Sequence, residues 1–340
     1  GLRFITVVYY NTVDPEAASE LLRAARIMGI TVRIGIEFRA TFHDKLIEFT
    51  WSPLNVHSSR AFIKLLQRPD IDAVYIASPN VFHAPQSRLF LEHDKHVLCE
   101  KPATVTAVQA RELLALARSR RLVYMEAIMM LHQPARETVR QALREIGAIT
   151  TARFDFSQLS SRYAALQAGE APNIFNPAMA AGCLMDLGVY CVYPALDFWG
   201  KPSKIQASAG FLPTGADGWD SALFSYPGLE VSLTCSKTGQ SRLGSEILGD
   251  KGTLVIGSLS QLSDIRLFRS DGREERLVGE ADKAALMGNE ARDFRRYAAD
   301  YDGCQEERRY AEELSAAVSE VMEEMRRQAG IRFGGEEMDV

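Results

Sequence analysis

Residues 73–102 read AVYIASPNVFHAPQSRLFLEHDKHVLCEKP, and the order of textures within them decides the fold. Ala73-Val74-Tyr75-Ile76-Ala77 is a short apolar run that stops at Ser78-Pro79-Asn80. Ala84 to Glu92 has helical spacing. His96-Val97-Leu98-Cys99 is a second apolar run, ended by Glu100-Lys101-Pro102, where the proline lacks a backbone donor and halts the strand. Two short buried strands joined by a helix form a βαβ unit, and such units build parallel sheets. Ligands of these sheets bind beyond the carboxyl ends of the strands. The polar segments at 78–80 and 100–102 therefore fall where a ligand is expected.

The pattern extends in both directions. Upstream, Arg3 to Tyr9 reads as a strand, Pro15 to Met28 as a helix with Asp14 as its cap, Thr31 to Phe38 as a second strand, and Ser59 to Gln67 as a helix. Downstream, Val105 to Arg120 reads as a helix and Val123 to Ala127 as a strand. After Gln133 the texture changes. A helix over Ala135 to Glu145 leads into longer alternating strands: Thr151 to Ser157, Lys204 to Phe211, Ser221 to Tyr226, Glu230 to Ser236, and Gly252 to Ile256. Helices near Glu290 to Ala299 and Glu306 to Gln328 close the chain. A length of 340 residues favours two domains. The expected class is α/β: a Rossmann-type doubly wound parallel sheet over 1–127, then an α+β domain with a large, mostly antiparallel open sheet over 128–340.

Composition narrows the function. Lys and Arg total 39 against 44 Asp and Glu, a net charge of −5, so no basic excess points to nucleic acid. No apolar stretch is expected to reach the roughly 20 residues of a membrane span, and the N-terminus reads as running straight into a strand, so no signal peptide is expected. The five cysteines are odd in number and form no C-x-x-C pair, which argues against a disulfide framework or zinc motif and suits a reducing, cytoplasmic setting. The six histidines lack ligand spacing, so no metal is expected. There is no G-x-S-x-G elbow, which argues against a serine hydrolase.

Two segments carry chemistry. A lysine just past a parallel strand, Lys101, points into the ligand crevice, although most lysines are simply exposed. The second segment is Gly182-Cys183-Leu184-Met185-Asp186-Leu187-Gly188-Val189-Tyr190-Cys191-Val192-Tyr193. As a helix it stacks Asp186 and Tyr190 one turn apart on one face. A carboxylate and a phenol so placed can flank a reacting carbinol, and a nearby ammonium lowers the phenol pKa. The structural alternative is a core helix whose Asp caps and whose Tyr packs.

Together these segments resemble the glucose–fructose oxidoreductase and inositol dehydrogenase superfamily (Gfo/Idh/MocA). Glu100-Lys101-Pro102 matches its Glu-Lys-Pro mark, Ser78-Pro79-Asn80-Val81-Phe82-His83 its turn after the fourth strand, and Gly182 to Tyr190 its Gly-x-Leu-x-Asp-x-Gly motif. Tyrosine rather than histidine at the last position is more like the dihydrodiol and xylose dehydrogenase branch and the MviM-like proteins. The resemblance spans about Ile71 to Phe333. It implies hydride transfer between a sugar, polyol or dihydrodiol carbinol and a nicotinamide. Lys101 and Tyr190 would share the proton, Asp186 would position the substrate, and Ser78, Pro79, Asn80, His83 and Glu100 would line the cofactor. Arg162, Tyr163, Asn173 and Asn176 are candidate substrate contacts. Family habit implies a homodimer or higher homo-oligomer.

One element of the pattern is missing. A dinucleotide site places G-x-G-x-x-G after the first strand, and here Val7-Val8-Tyr9-Tyr10-Asn11-Thr12-Val13 contains no glycine. Val8 and Tyr10 stand where the first two glycines belong, and their side chains would fill diphosphate space. Three readings follow: altered cofactor binding, a non-catalytic relative that binds a ligand or serves as a scaffold, or a frame-shifted or rearranged stretch over residues 9–52. At the end of the expected second strand, Glu37 suits a ribose diol and Arg39 a 2′-phosphate; the alternative is a solvated surface pair. The resemblance, whose Tyr-branch members often carry an arginine here, implies NADP slightly before NAD.

Overall fold

The computed structural model describes residues 71–280 and 282–334, Pro69, and the backbone of four strands at 4–8, 31–33, 38–42 and 45–49. The described residues fall into two compact units. One draws on Gly1–Ala103, Val108–Met129 and Asp282–Glu312; the other on Thr104–Ala107, Met130–Ala281 and Glu313–Val340.

In the first unit, β1 (Phe4–Val8), β5 (Ala73–Ala77), β6 (His96–Glu100) and β7 (Tyr124–Ala127) form a parallel sheet in the order β1-β5-β6-β7. Helix α1 (Asn80–Glu92) connects β5 to β6, and α2 (Ala107–Ser119) lies between β6 and β7 in the chain. The helix expected from Ala84 starts four residues earlier. Pro79 sits at its cap in extended geometry (φ −58°, ψ 147°), so the polar turn is itself the helix start. Ala73, Leu98, Val123, Met125 and Ala127 pack against Phe294 and Tyr297 of α5 (Lys283–Ala299). Burial of each large apolar side chain contributes about 1.5–3 kcal/mol.

The second expected strand is corrected. Thr31 to Phe38 is not one strand of the parallel sheet: β2 (Thr31–Arg33), β3 (Phe38–Phe42) and β4 (Lys45–Phe49) form a separate antiparallel meander. Their sequences are interrupted by charged positions such as Arg33, Arg39 and Glu48, whereas a strand buried on both faces reads as a continuous apolar run, as β5 does. The helices expected over Pro15 to Met28 and Ser59 to Gln67 lie outside the described residues.

The second unit is built on an eight-stranded sheet: β8 (Ile149–Ser157), β9 (Lys204–Phe211), β10 (Asp217–Tyr226), β11 (Leu229–Ser236), β12 (Ser245–Gly249), β13 (Gly252–Ser258), β14 (Ser263–Arg269) and β15 (Glu274–Val278). Its order is β15-β14-β13-β12-β8-β11-β10-β9, and β8 with β11 is its one parallel pair. Strands β12, β14 and β15 were not anticipated. β12 and β15 have five residues each, and β15 buries none of them, while β14 alternates buried and half-buried positions but carries charged residues at Asp264, Arg266 and Arg269. On one face lie α3 (Ala135–Glu145) and the apolar α4 (Val189–Trp199). Pro177–Trp199 does have the length and hydropathy of a membrane span, contrary to the sequence reading. It is 83% buried in the protein, as a core helix is. Asp197 of α4 is gripped by Arg136 (Nε to Oδ2, 2.8 Å) and Arg140 (Nη2 to Oδ1, 2.9 Å), which pins α3 to α4. Helix α6 (Gln305–Ala329) closes the chain.

Candidate active site

In the first unit the polar segments at the carboxyl ends of β5 and β6 are held together by one side chain. His83, 1% exposed, faces the carbonyl of Pro102 with Nδ1 (2.8 Å) and that of Ser78 with Nε2 (2.6 Å). Burial depresses the imidazole pKa, while the two carbonyls pull it upward. The Ser78 hydroxyl donates to Gln86 (2.8 Å), which ties the turn to α1. Asn80 opens that helix, so its backbone lies at the positive end of the helix dipole.

Glu100 ends β6. It accepts a short hydrogen bond from the Tyr75 hydroxyl, and its Oε2 accepts from the Lys101 amide (3.3 Å). Burial and Glu100 together raise the Tyr75 pKa, so the phenol stays a donor. Lys101 is half-buried and precedes a cis peptide to Pro102. Behind this turn, Glu126 accepts from the Ala103 amide (2.9 Å) and the Tyr124 hydroxyl donates to the Ala103 carbonyl (3.1 Å). Glu290 of α5 is also buried here. Burial, then Glu100 and Glu126, raise its pKa well above the usual carboxyl range, so it holds a proton.

In the second unit, Asp186 lies on a π-helical turn, Leu184–Gly188, that runs into α4. Turns of this kind recur at functional sites. Between Ala180 and Asp197 every residue is buried except Asp186 and Tyr190. The expected pairing on one face is present, on a π-turn rather than a regular α-helix. Asp186 forms an ion pair with Lys237, whose side chain is 3% exposed. The Lys237 ammonium also lies 5.7 Å from the Phe175 ring centroid, and Tyr163 meets Phe175 edge-on at 6.4 Å. Tyr190 packs on Phe156, ring centroids 5.1 Å apart. A carboxylate fixed by a buried ammonium accepts a substrate hydroxyl, and the adjacent phenol can exchange its proton.

The structure groups Tyr163 with Asp186 through Phe175 and Lys237. The Asn176 side chain instead caps the Pro177–Met179 turn, accepting from the Ala178 amide (3.0 Å). Arg162 and Asn173 are exposed on the same loop. Val8 ends β1, and Tyr10 lies outside the described residues. Arg39 is corrected: it sits inside β3, paired in register with Arg33 and Glu48, and not at the end of a parallel strand. The geometric ground for reading a 2′-phosphate contact there is gone. Sequence reasoning missed Lys237 and Glu290. Lys237 had a signal: it continues the inward-facing alternation of Leu229, Leu233 and Cys235.

Residues 42–128 match the model of the oxidoreductase family with an NAD-binding Rossmann fold, and residues 133–255 match the Gfo/Idh/MocA C-terminal domain. The chain is 36% identical to scyllo-inositol 2-dehydrogenase (NADP(+)) of Bacillus subtilis over 77% of this chain and 79% of that one. The chain belongs to the Gfo/Idh/MocA oxidoreductase family. It is also 34% identical to human trans-1,2-dihydrobenzene-1,2-diol dehydrogenase, over 58% of each chain. Among solved structures, a 3-ketoreductase from Actinomadura kijaniata in complex with TDP-benzene and NADP superposes with a TM-score of 0.66 at 26% identity, covering 79% of this chain and 81% of that one. Membership makes the protein an NAD(P)-dependent oxidoreductase acting on carbinol substrates. The family match begins at residue 42, so the stretch without a glycine loop lies ahead of it.

Proposed function

We propose that the protein is an NADP-dependent dehydrogenase of a cyclic polyol or sugar, with Lys101, Asp186 and Tyr190 as its catalytic group. The observation that carries this reading is the pair Asp186 and Tyr190, the two breaks in an otherwise buried helix, with Asp186 already fixed by Lys237. Asp186 accepts a hydrogen bond from a substrate hydroxyl and orients the ring. Tyr190 and Lys101 share the proton that leaves the reacting carbinol oxygen. The nicotinamide, when bound, takes the hydride from the same carbon. Ser78, Pro79, Asn80, His83 and Glu100 fit the nicotinamide half of that cofactor: they are polar, close to the ends of parallel strands, and cross-linked by His83. Tyr163, Arg162 and Asn173 contact the distal hydroxyls. The similarity to an NADP-dependent inositol dehydrogenase supports both the cofactor and the substrate class.

In this reading residues 1–127 bind the cofactor and 128–340 bind substrate and pair two copies. The exposed Trp219 and Leu223 on one strand, with Leu248 on another, support a face of the large sheet as the contact. The test is titration with NADPH and NADH, followed by NADP+ reduction with scyllo-inositol, myo-inositol, xylose and a trans-dihydrodiol. Saturable NADPH binding and turnover of a ring polyol support the reading. No binding up to millimolar nucleotide overturns it.

A further inference from the structure

Beneath the Asp186 turn, the fold brings together residues that are far apart in sequence. Cys183 precedes the π-turn, while Asp220 of β10 and Cys235 of β11 are cross-strand partners on the inward face of the sheet. Their Sγ, carboxylate oxygen and Sγ all lie within 4.8 Å of one another, and all three residues are buried. Among the described residues no other group of three His, Cys, Asp or Glu side chains is so arranged. The Cys235 Sγ to Asp220 Oδ2 separation is 3.5 Å. A tetrahedral zinc ion with Zn–S near 2.3 Å and Zn–O near 2.1 Å has an S···O edge of about 3.6 Å.

In the absence of an ion the cluster's members hydrogen-bond one another: the Cys235 thiol donates to Asp220 Oδ2, and the Asp220 carboxyl is paired with that of Asp217. Asp220 Oδ1 and Asp217 Oδ1 are both buried and find no donor outside that pair. Asp217 is 0% exposed, and its Oδ2 accepts from the Leu184 amide (2.6 Å) at the start of the π-turn. Burial and Asp217 push the Asp220 carboxyl up to about 9; burial raises the Cys183 thiol, and the hydrogen bond with Cys183, then burial, raises that of Cys235. A cation would exchange these protons for bonds.

We propose that Cys183, Asp220 and Cys235 bind a thiophilic divalent cation, zinc by preference, in a buried three-residue site. Two thiolates select zinc over magnesium or calcium. Binding releases the two thiol protons and that of Asp220 to solvent, with no change in oxidation state. The ion ties the turn that carries Asp186 to the strand that leads into Lys237. This inference does not depend on the substrate or cofactor assigned above.

The test uses the full chain, reduced and stripped with chelator, titrated with Co2+ without nucleotide. One equivalent of Co2+ with an intense near-ultraviolet thiolate-to-cobalt band is expected, and Zn2+ should displace it. Elemental analysis of protein reloaded with Zn2+ should find one ion per chain. C183S and C235S should lose the band; C304S, altered in the other unit, should keep it. A wild-type chain that shows no thiolate-to-cobalt band overturns the proposal, even if the cysteine variants fail to fold. So does a band that survives in folded C183S and C235S.

Discussion

The ion pair between Asp186 and Lys237 makes a quantitative prediction. The Lys237 side chain is 3% exposed and that of Asp186 is 28% exposed, so the pair is shielded more than a surface salt bridge. Asp186→Asn leaves a buried ammonium without its counter-charge. Losing one partner of a buried pair costs about 3–5 kcal/mol, and for a domain of this size each kcal/mol shifts Tm by about 2–4 °C. A fall in Tm of about 6–20 °C is expected. Lys237→Met should cost less, because the partly exposed carboxylate can recover water. The double variant removes both charges and should return to within about 1 kcal/mol of the parent. Urea unfolding of all four proteins gives the coupling energy, expected at about 2 kcal/mol or more. Turnover separates the structural role from the chemical one: the double variant regains stability but stays inactive. Single-variant losses below about 1 kcal/mol, or losses that simply add, would refute the reasoning, because the pair would then behave as an exposed one.

Three further outcomes are expected. Lys101→Met should lower turnover by about 10²–10⁴-fold with unchanged circular dichroism and Tm; parental activity would remove the lysine from the catalytic group. Asp197→Ala should strand the Arg136 and Arg140 charges against α4 and cost about 3–5 kcal/mol in urea unfolding; a change under about 1 kcal/mol would show that helix packing alone holds α3 in place. Glu290 faces Glu100, Glu126, Asp293 and Tyr75 and has a raised pKa in the folded chain. Its proton is kept on folding and lost on unfolding above the ordinary value of 4.5. Its contribution to stability is therefore full below that value and declines as pH rises toward the folded pKa. Glu290→Gln should flatten the fall in stability as pH rises above the ordinary carboxyl value of 4.5, and an unchanged slope would show that Glu290 ionises without penalty.

The parallel sheet after residue 71 was legible because β5 and β6 are continuous apolar runs cut off by polar tripeptides. The placement of Asp186 and Tyr190 on one helical segment was legible because these two polar residues stand in an apolar stretch at helical spacing. The upstream strands were not. Thr31 to Phe38 carries β-branched residues that suit either a parallel or an antiparallel strand, and which partner it takes is a long-range choice. Strands β12, β14 and β15 were missed for a related reason: edge and short strands need few apolar positions. Lys237 escaped because a lysine on an alternating strand is ordinarily assigned to the wet face. Only the position of Asp186 across the unit explains its burial. The cysteines at 183 and 235 carry no spacing signal, since β-sheet pairing rather than local sequence brings them near Asp220.

The burial of every residue from Ala180 to Asp197 except Asp186 and Tyr190 also bears on how such an enzyme can change. Any enlargement inside that stretch meets a filled core, so under the proposed assignment the reacting carbinol would have a fixed address. New substrate preferences would then arise on the loop between β8 and the π-turn, where Arg162 and Asn173 face solvent and substitutions disturb little. A library that tests the proposal with new polyols should vary that loop and leave the helix alone, because the proposal houses reactivity and selectivity in separate segments of the chain.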